Sequence, residues 1–171
     1  TYGCKAALST AVDLLRGLAR QVSLDVLDIA GVTDTNDNDF AGQMAGCLEA
    51  LRDYDAVIVH VEAPDEAAHA GSTREKVEAL EMVDKLMVPQ ILDASFPLRL
   101  LVQPDHPTPL RVRTHVAEPV HFLVWAPGRV VPNGARAYSE ADAAGTGLLV
   151  DPGHELMRQF LAVRRPKPQC S

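Results

Sequence analysis

Two short stretches of this 171-residue sequence set carboxylates beside imidazoles at spacings that can hold a divalent cation. In EAPDEAAHAGS, Asp65 and His69 stand four apart. On a helical turn both project to one side, where a carboxylate oxygen and an imidazole nitrogen can share one ion. In QPDHPTP, Asp105 and His106 are adjacent, and Pro104 and Pro107 stiffen the backbone around them. His115 follows in RTHVAEPV. Each residue also has a plainer reading. Asp65 can cap the turn after Pro64, Asp105 can bond its own backbone in a turn, and a lone loop histidine is most often a surface hydrogen-bonder. The metal reading rests on the five together, at the edge of one sheet.

The elements that would place them follow from periodicity. Residues 6–20 carry Ala7, Val12, Leu14, Leu15 and Leu18 largely on one face, which predicts an amphipathic helix. Arg16 falls near the end of that helix, where a cation suits the helix dipole or reaches a phosphate or carboxylate. Residues 24–30 alternate as a strand, 31–39 (GVTDTNDND) form a loop of turn residues, and 41–51 return to helical spacing. DAVIVHV, residues 55–61, is the strongest strand, a continuous apolar run fit for a buried parallel position. A helix capped by Ser72 or Thr73 should run to about residue 88 and end or kink at Pro89. Strands at 98–102 and 120–125 and a helix at 155–163 complete the set, with 164–171 as a polar tail. His60 and His121 lie inside expected strands and read as core histidines bonded to nearby backbone. His154 precedes the last helix, as a cap or facing water. Helices alternating with buried strands give an α/β fold with a mainly parallel sheet, and such sheets bind ligands at the carboxyl ends of their strands. That is where the Asp and His residues fall.

Composition narrows the function. Hydrophobic residues are 47% and charged residues 23%, as in ordinary globular proteins. A net charge of -7 leaves no basic footprint for nucleic acid or for an acidic membrane. A phosphorylated ligand would need local cations. Cys4, Cys47 and Cys170 are widely spaced and odd in number, which fits neither a disulfide framework nor a zinc cluster and suits a reducing cytoplasm. No apolar run approaches the roughly 20 residues of a membrane span. The chain begins at Thr1 and enters helical periodicity at once, which suggests a piece cut from something longer.

Taken in order, VIVHVEAPDEAAHAGSTREKVEALEMVD, PDHPTP, THVAEPVHFLVWAPG and GHELMRQFL resemble the C-terminal half of the archaeal-type cofactor-independent phosphoglycerate mutases, of the alkaline-phosphatase superfamily. KAALSTAVDLLRGLA resembles the same family, so the likeness covers residues 5–161. It implies residues 1–163 to be the C-terminal portion of a metal-binding α/β domain with an alkaline-phosphatase-like core. It implies two divalent ions, manganese, zinc, magnesium or cobalt, one held by Asp65, His69 and His115, the other by Asp105 and His106 with upstream residues. A serine outside this chain would carry the phosphate of 3-phosphoglycerate to the 2-hydroxyl, and Arg16 would bind the small phosphorylated carboxylate. None of Ser9, Ser23, Ser72, Ser95, Ser139 and Ser171 has a base at readable spacing, so the chain alone should be inactive. This sequence departs from the family pattern at Ala68, at Pro107 in PDHPTP, at His121, and in GVTDTNDND with Gln43 at the expected lysine position. The alternatives are a phosphatase or phosphonate hydrolase of the superfamily, or a non-catalytic metal-binding relic.

Overall fold

The run AVIV forms strand β3 (Ala56–Val59), one edge of a three-stranded parallel sheet ordered β2-β1-β3. The structure, a computed structural model, describes residues 3–128, 130 and 132–162, so the tail at 164–171 lies outside the described residues. Its central strand, β1 (Ala6–Ser9), runs where helical periodicity was expected to begin. Ala7, Leu8 and Ser9 are all buried, and a middle strand of a parallel sheet is packed on both faces, so small and apolar side chains there override helix propensity. The helix starts later, as α1 (Asp13–Gln21). Arg16 therefore lies in its first half and not near its end. Of the strand expected over residues 24–30, only β2 (Asp25–Val26) pairs with β1.

Helix α2 (Phe40–Ala50) begins at Asp39, whose side chain accepts from the Gly42 amide, and buries Phe40, Gln43, Met44 and Cys47. Helix α3 (Ala63–Ala70) leaves β3 after three residues. Helix α4 (Thr73–Met82) is capped by the Ser72 hydroxyl, which accepts from Glu75 N–H. Pro89 does not end this helix. A π-helical segment, Val83–Met87, precedes it, and α5 (Val88–Leu92) continues with the proline in its first turn. The wider turn ends just where a proline ring would collide with the carbonyl four residues back.

The described chain divides into two compact units, Gly3–Phe96 with Thr108–Val116, and Pro97–Pro107 with the residues from Ala117 onward. The parallel sheet and α1 to α5 belong to the first. The second holds an antiparallel pair, β4 (Leu100–Val102) with β5 (Leu123–Trp125), and helices α6 (Glu140–Gly145) and α7 (Glu155–Ala162). Helix α6 was not foreseen; the Ser139 hydroxyl caps it by accepting from Asp142 N–H. His121 precedes β5 and packs its ring on Tyr138, with centroids 4.5 Å apart.

Candidate metal centre

Helix α3 carries the first two candidate ligands. Pro64 sits in its first turn, which has no intrahelical use for an N–H. Gly71 closes the helix at φ 74°. A side chain at Gly71 would be strained by that backbone and would also strike the Arg113 guanidinium, 2.4 Å from the ideal Cβ position. Between these ends, Asp65 and His69 share a face, with Asp65 Oδ2 3.1 Å from His69 Nε2.

The third candidate ligand arrives from the segment Thr108–Val116, which belongs to the same unit. His115 Nε2 lies 3.1 Å from His69 Nε2 and 3.7 Å from Asp65 Oδ2. Two contacts orient the set. Thr108 Oγ1 donates to Asp65 Oδ1, leaving Oδ2 directed at the histidines. His69 Nδ1 lies 3.0 Å from the Arg113 carbonyl oxygen, which can only accept, so the ring hydrogen sits on Nδ1. In the neutral ring Nε2 is then a lone pair, 3.1 Å from a carboxylate oxygen. Two acceptors facing each other at that distance need a cation or a proton between them. A metal-bound histidine with its other nitrogen on a carbonyl is the usual arrangement.

The fit to an ion can be tested on distance. Ligands 2.0–2.2 Å from a tetrahedral ion stand about 3.3–3.6 Å from one another. The three observed separations run from 3.1 to 3.7 Å, so an ion fits with shifts of a few tenths of an ångström. The donors are half-open: the Asp65 side chain is 19% exposed and that of His115 51%. A further ligand can approach from solvent. Arg113 itself sits at φ 57°, an uncommon conformation for a side-chain-bearing residue, and turns its carbonyl to His69.

The remaining candidates are placed as follows. Asp105 and His106 follow β4 in the second unit, with Asp105 Oδ2 3.3 Å from His106 Nε2. Asp105 Oδ1 accepts from the His106 amide, the self-bonding turn contact weighed as its alternative. Arg16 pairs with Asp28, whose carboxyl it holds below the usual range, and reaches toward the Thr10 carbonyl beyond β1. His60 is half-buried, and its ring lies 2.9 Å from Thr10 Oγ1 and 3.2 Å from Glu62 Oε2. His154 is exposed, beside Glu155. Gln43, at the expected lysine position, is fully buried, and its amide donates to Ser9 Oγ and the His60 carbonyl while accepting from Asn38. The sequence reading missed Thr108 and the Arg113 carbonyl; the only trace of the first was a threonine between two prolines.

An α/β fold of the alkaline-phosphatase-like kind here brings two imidazoles and one carboxylate together, a set that could hold a metal ion. The chain belongs to the Metalloenzyme superfamily, whose family model matches residues 1–161. It is 39% identical over 165 residues to a 2,3-bisphosphoglycerate-independent phosphoglycerate mutase of Methanothrix thermoacetophila, covering 94% of this chain and 42% of that protein. A protein of Geobacter sulfurreducens, named a probable mutase of the same type, is 39% identical over 163 residues, with 94% and 41% covered. This chain thus spans about two fifths of these relatives' length and matches their C-terminal part. A solved protein of Pyrococcus horikoshii superposes with a TM-score of 0.83 at 24% identity, over 96% of this chain and 51% of that one, a likeness of fold.

Proposed function

We propose that this chain is the C-terminal metal-binding part of a cofactor-independent phosphoglycerate mutase. The observation that carries the reading is the convergence of Asp65 Oδ2, His69 Nε2 and His115 Nε2 within 3.1–3.7 Å. Those three would hold one divalent ion, and Asp105 and His106 would help hold a second. Bound ions supply positive charge that offsets the charge of a transferring phosphoryl group and lowers the pKa of a nearby hydroxyl. This chain's own part is to orient and to bind. Thr108 fixes which Asp65 oxygen faces inward, the Arg113 carbonyl fixes the His69 tautomer, and Arg16 would take an anionic group of a small phosphorylated carboxylate. The serine that accepts the phosphate from 3-phosphoglycerate and returns it to the 2-hydroxyl would come from the N-terminal part that the relatives carry.

The test joins this chain to that N-terminal part of the Methanothrix relative and supplies 3-phosphoglycerate with manganese. Appearance of 2-phosphoglycerate, lost in His69→Ala, is the expected result. Free phosphate without isomer would replace the reading with a hydrolase. Burial of Gln43 favours that second reading. Its amide is committed to Asn38, Ser9 and His60, so the position where the family pattern has a lysine offers no cation to a substrate.

A further inference from the structure

We propose that Lys76 is a positioning residue of the candidate metal centre, acting through Thr108 on the segment that completes the ligand set. The proposal rests on the reading of Asp65, His69 and His115 as metal ligands and adds what keeps them assembled before an ion arrives. The segment's own sequence gives it little means of holding itself. Thr108 stands between Pro107 and Pro109. Pro109 has no N–H to give, and a residue that precedes proline is restricted to extended backbone. Downstream, the Val112 and Arg113 N–H groups donate to the Pro109 carbonyl and close a turn. From that turn the Arg113 carbonyl reaches His69 Nδ1, and His115 joins the cluster two residues on. Just before it, the Thr108 hydroxyl meets Asp65. All three contacts therefore depend on where Thr108 is fixed.

Lys76 supplies that anchor. Its Nζ donates to the Thr108 carbonyl oxygen at 2.9 Å, and Thr108 is only 5% exposed. A hydrogen bond from an ammonium is stronger than one between neutral groups. With its carbonyl held, Thr108 cannot turn about its Cα–C bond. Its branched side chain has few rotamers, so Oγ1 stays aimed at Asp65. Helix stability alone does not account for the lysine. Lys76 stands four residues past the Ser72 cap of α4, near the helix end whose dipole favours anions. Its side chain instead leaves α4 for a segment 32 residues away. One ammonium thus ties α4 to the segment and, through the Thr108 hydroxyl and Asp65, to α3.

The test titrates the metal-free full chain with zinc and with manganese in a calorimeter, reading the site that His69→Ala removes. Lys76→Met keeps the stem and loses the donor, and affinity should fall by about tenfold or more. Lys76→Arg returns a cationic donor and should recover most of the loss. Combined with Thr108→Val, Lys76→Met should cost less than the product of the two single losses, because both act on one segment. Ser72→Ala loosens the same end of α4 but leaves the Lys76 contact in place, so it should bind metal as wild type does. Should Lys76→Met fail to fold, Lys76→Gln takes its place under the same criteria. Wild-type affinity in the Lys76 variant, an equal loss in Ser72→Ala, or single losses that simply multiply, overturns the proposal. A wild-type chain that binds no metal at the His69 site overturns the metal reading itself and this role with it. Metal binding indifferent to Lys76 overturns this role alone, so the two failures are told apart.

Discussion

Asp65 has two oxygens with different duties, and Thr108 decides between them by donating to Oδ1. Thr108→Val keeps the volume but removes the donor, so Asp65 should lose its orientation. Calorimetry with zinc or manganese should then show affinity lower by about 10–100-fold, the usual cost of removing an orienting partner. His69→Ala removes a proposed ligand and should lower affinity further, whereas Arg113→Ala should change it little, because the contact uses the main-chain carbonyl. An Arg113→Ala loss as large as that of Thr108→Val would refute this assignment. The pair Asp65 and His69 was legible in the sequence because four residues is a helical repeat. Thr108 was not, because its partner lies 43 residues away and only the fold brings them together. Cys47 gives a second residue-scale prediction. Burial pushes its thiol from 9.0 up to about 11, with a smaller opposing effect from Ser9. The folded state thus holds the proton more tightly than the unfolded chain. Its contribution to stability is complete below pH 9 and falls away as pH rises toward 11. Iodoacetamide at pH 8 should label Cys4 well before Cys47, and urea midpoints should drop between pH 9 and 11 in wild type more than in Cys47→Ala.

At the scale of elements, the turn between α3 and α4 joins stability to the site. Gly71 ends α3 in the left-handed region and lies under Arg113. Gly71→Ala should destabilise the fold by about 1–2 kcal/mol from backbone strain. It should also weaken metal binding, since the new methyl displaces the segment that carries Arg113 and His115. Ser72→Ala, one residue on, removes the α4 cap and should cost about 1 kcal/mol while leaving metal affinity unchanged. Thermal melts and calorimetry on the two variants separate these effects; equal loss of affinity in both would mean that the turn has no specific tie to the ligands. The elements themselves were legible unevenly. β3 stood out because an unbroken β-branched run has one comfortable home. β1 was hidden because AALS is good helix sequence, and only its place between two parallel strands makes it extended. Pro89 was read as a stop because local rules carry no information on a preceding π segment that lets the chain continue.

For the molecule as a whole, charge sets a condition on what it can bind. A net charge of -7 repels a phosphorylated carboxylate at long range, and of the cationic side chains considered for the site, Arg16 shares its charge with Asp28. Bound divalent ions would reverse that local sign, and they would also stabilise the unit that holds them. A ligand at a hundred times its dissociation constant adds about 2.7 kcal/mol to the folded state when the unfolded chain does not bind it. Saturating manganese or zinc should therefore raise the unfolding midpoint of this chain, and EDTA should return it to the metal-free value. Hydrogen exchange should locate the gain in α3 and the 108–116 segment, which carry the three proposed ligands. The rise should vanish in His69→Ala. Substrate binding should follow the same dependence in the polypeptide joined to the N-terminal part: 3-phosphoglycerate should bind with metal present and fail to bind in EDTA. Equal affinity in both conditions would mean that fixed side chains, not cations, overcome the repulsion, and the role assigned to the Asp65, His69 and His115 cluster would have to be given up.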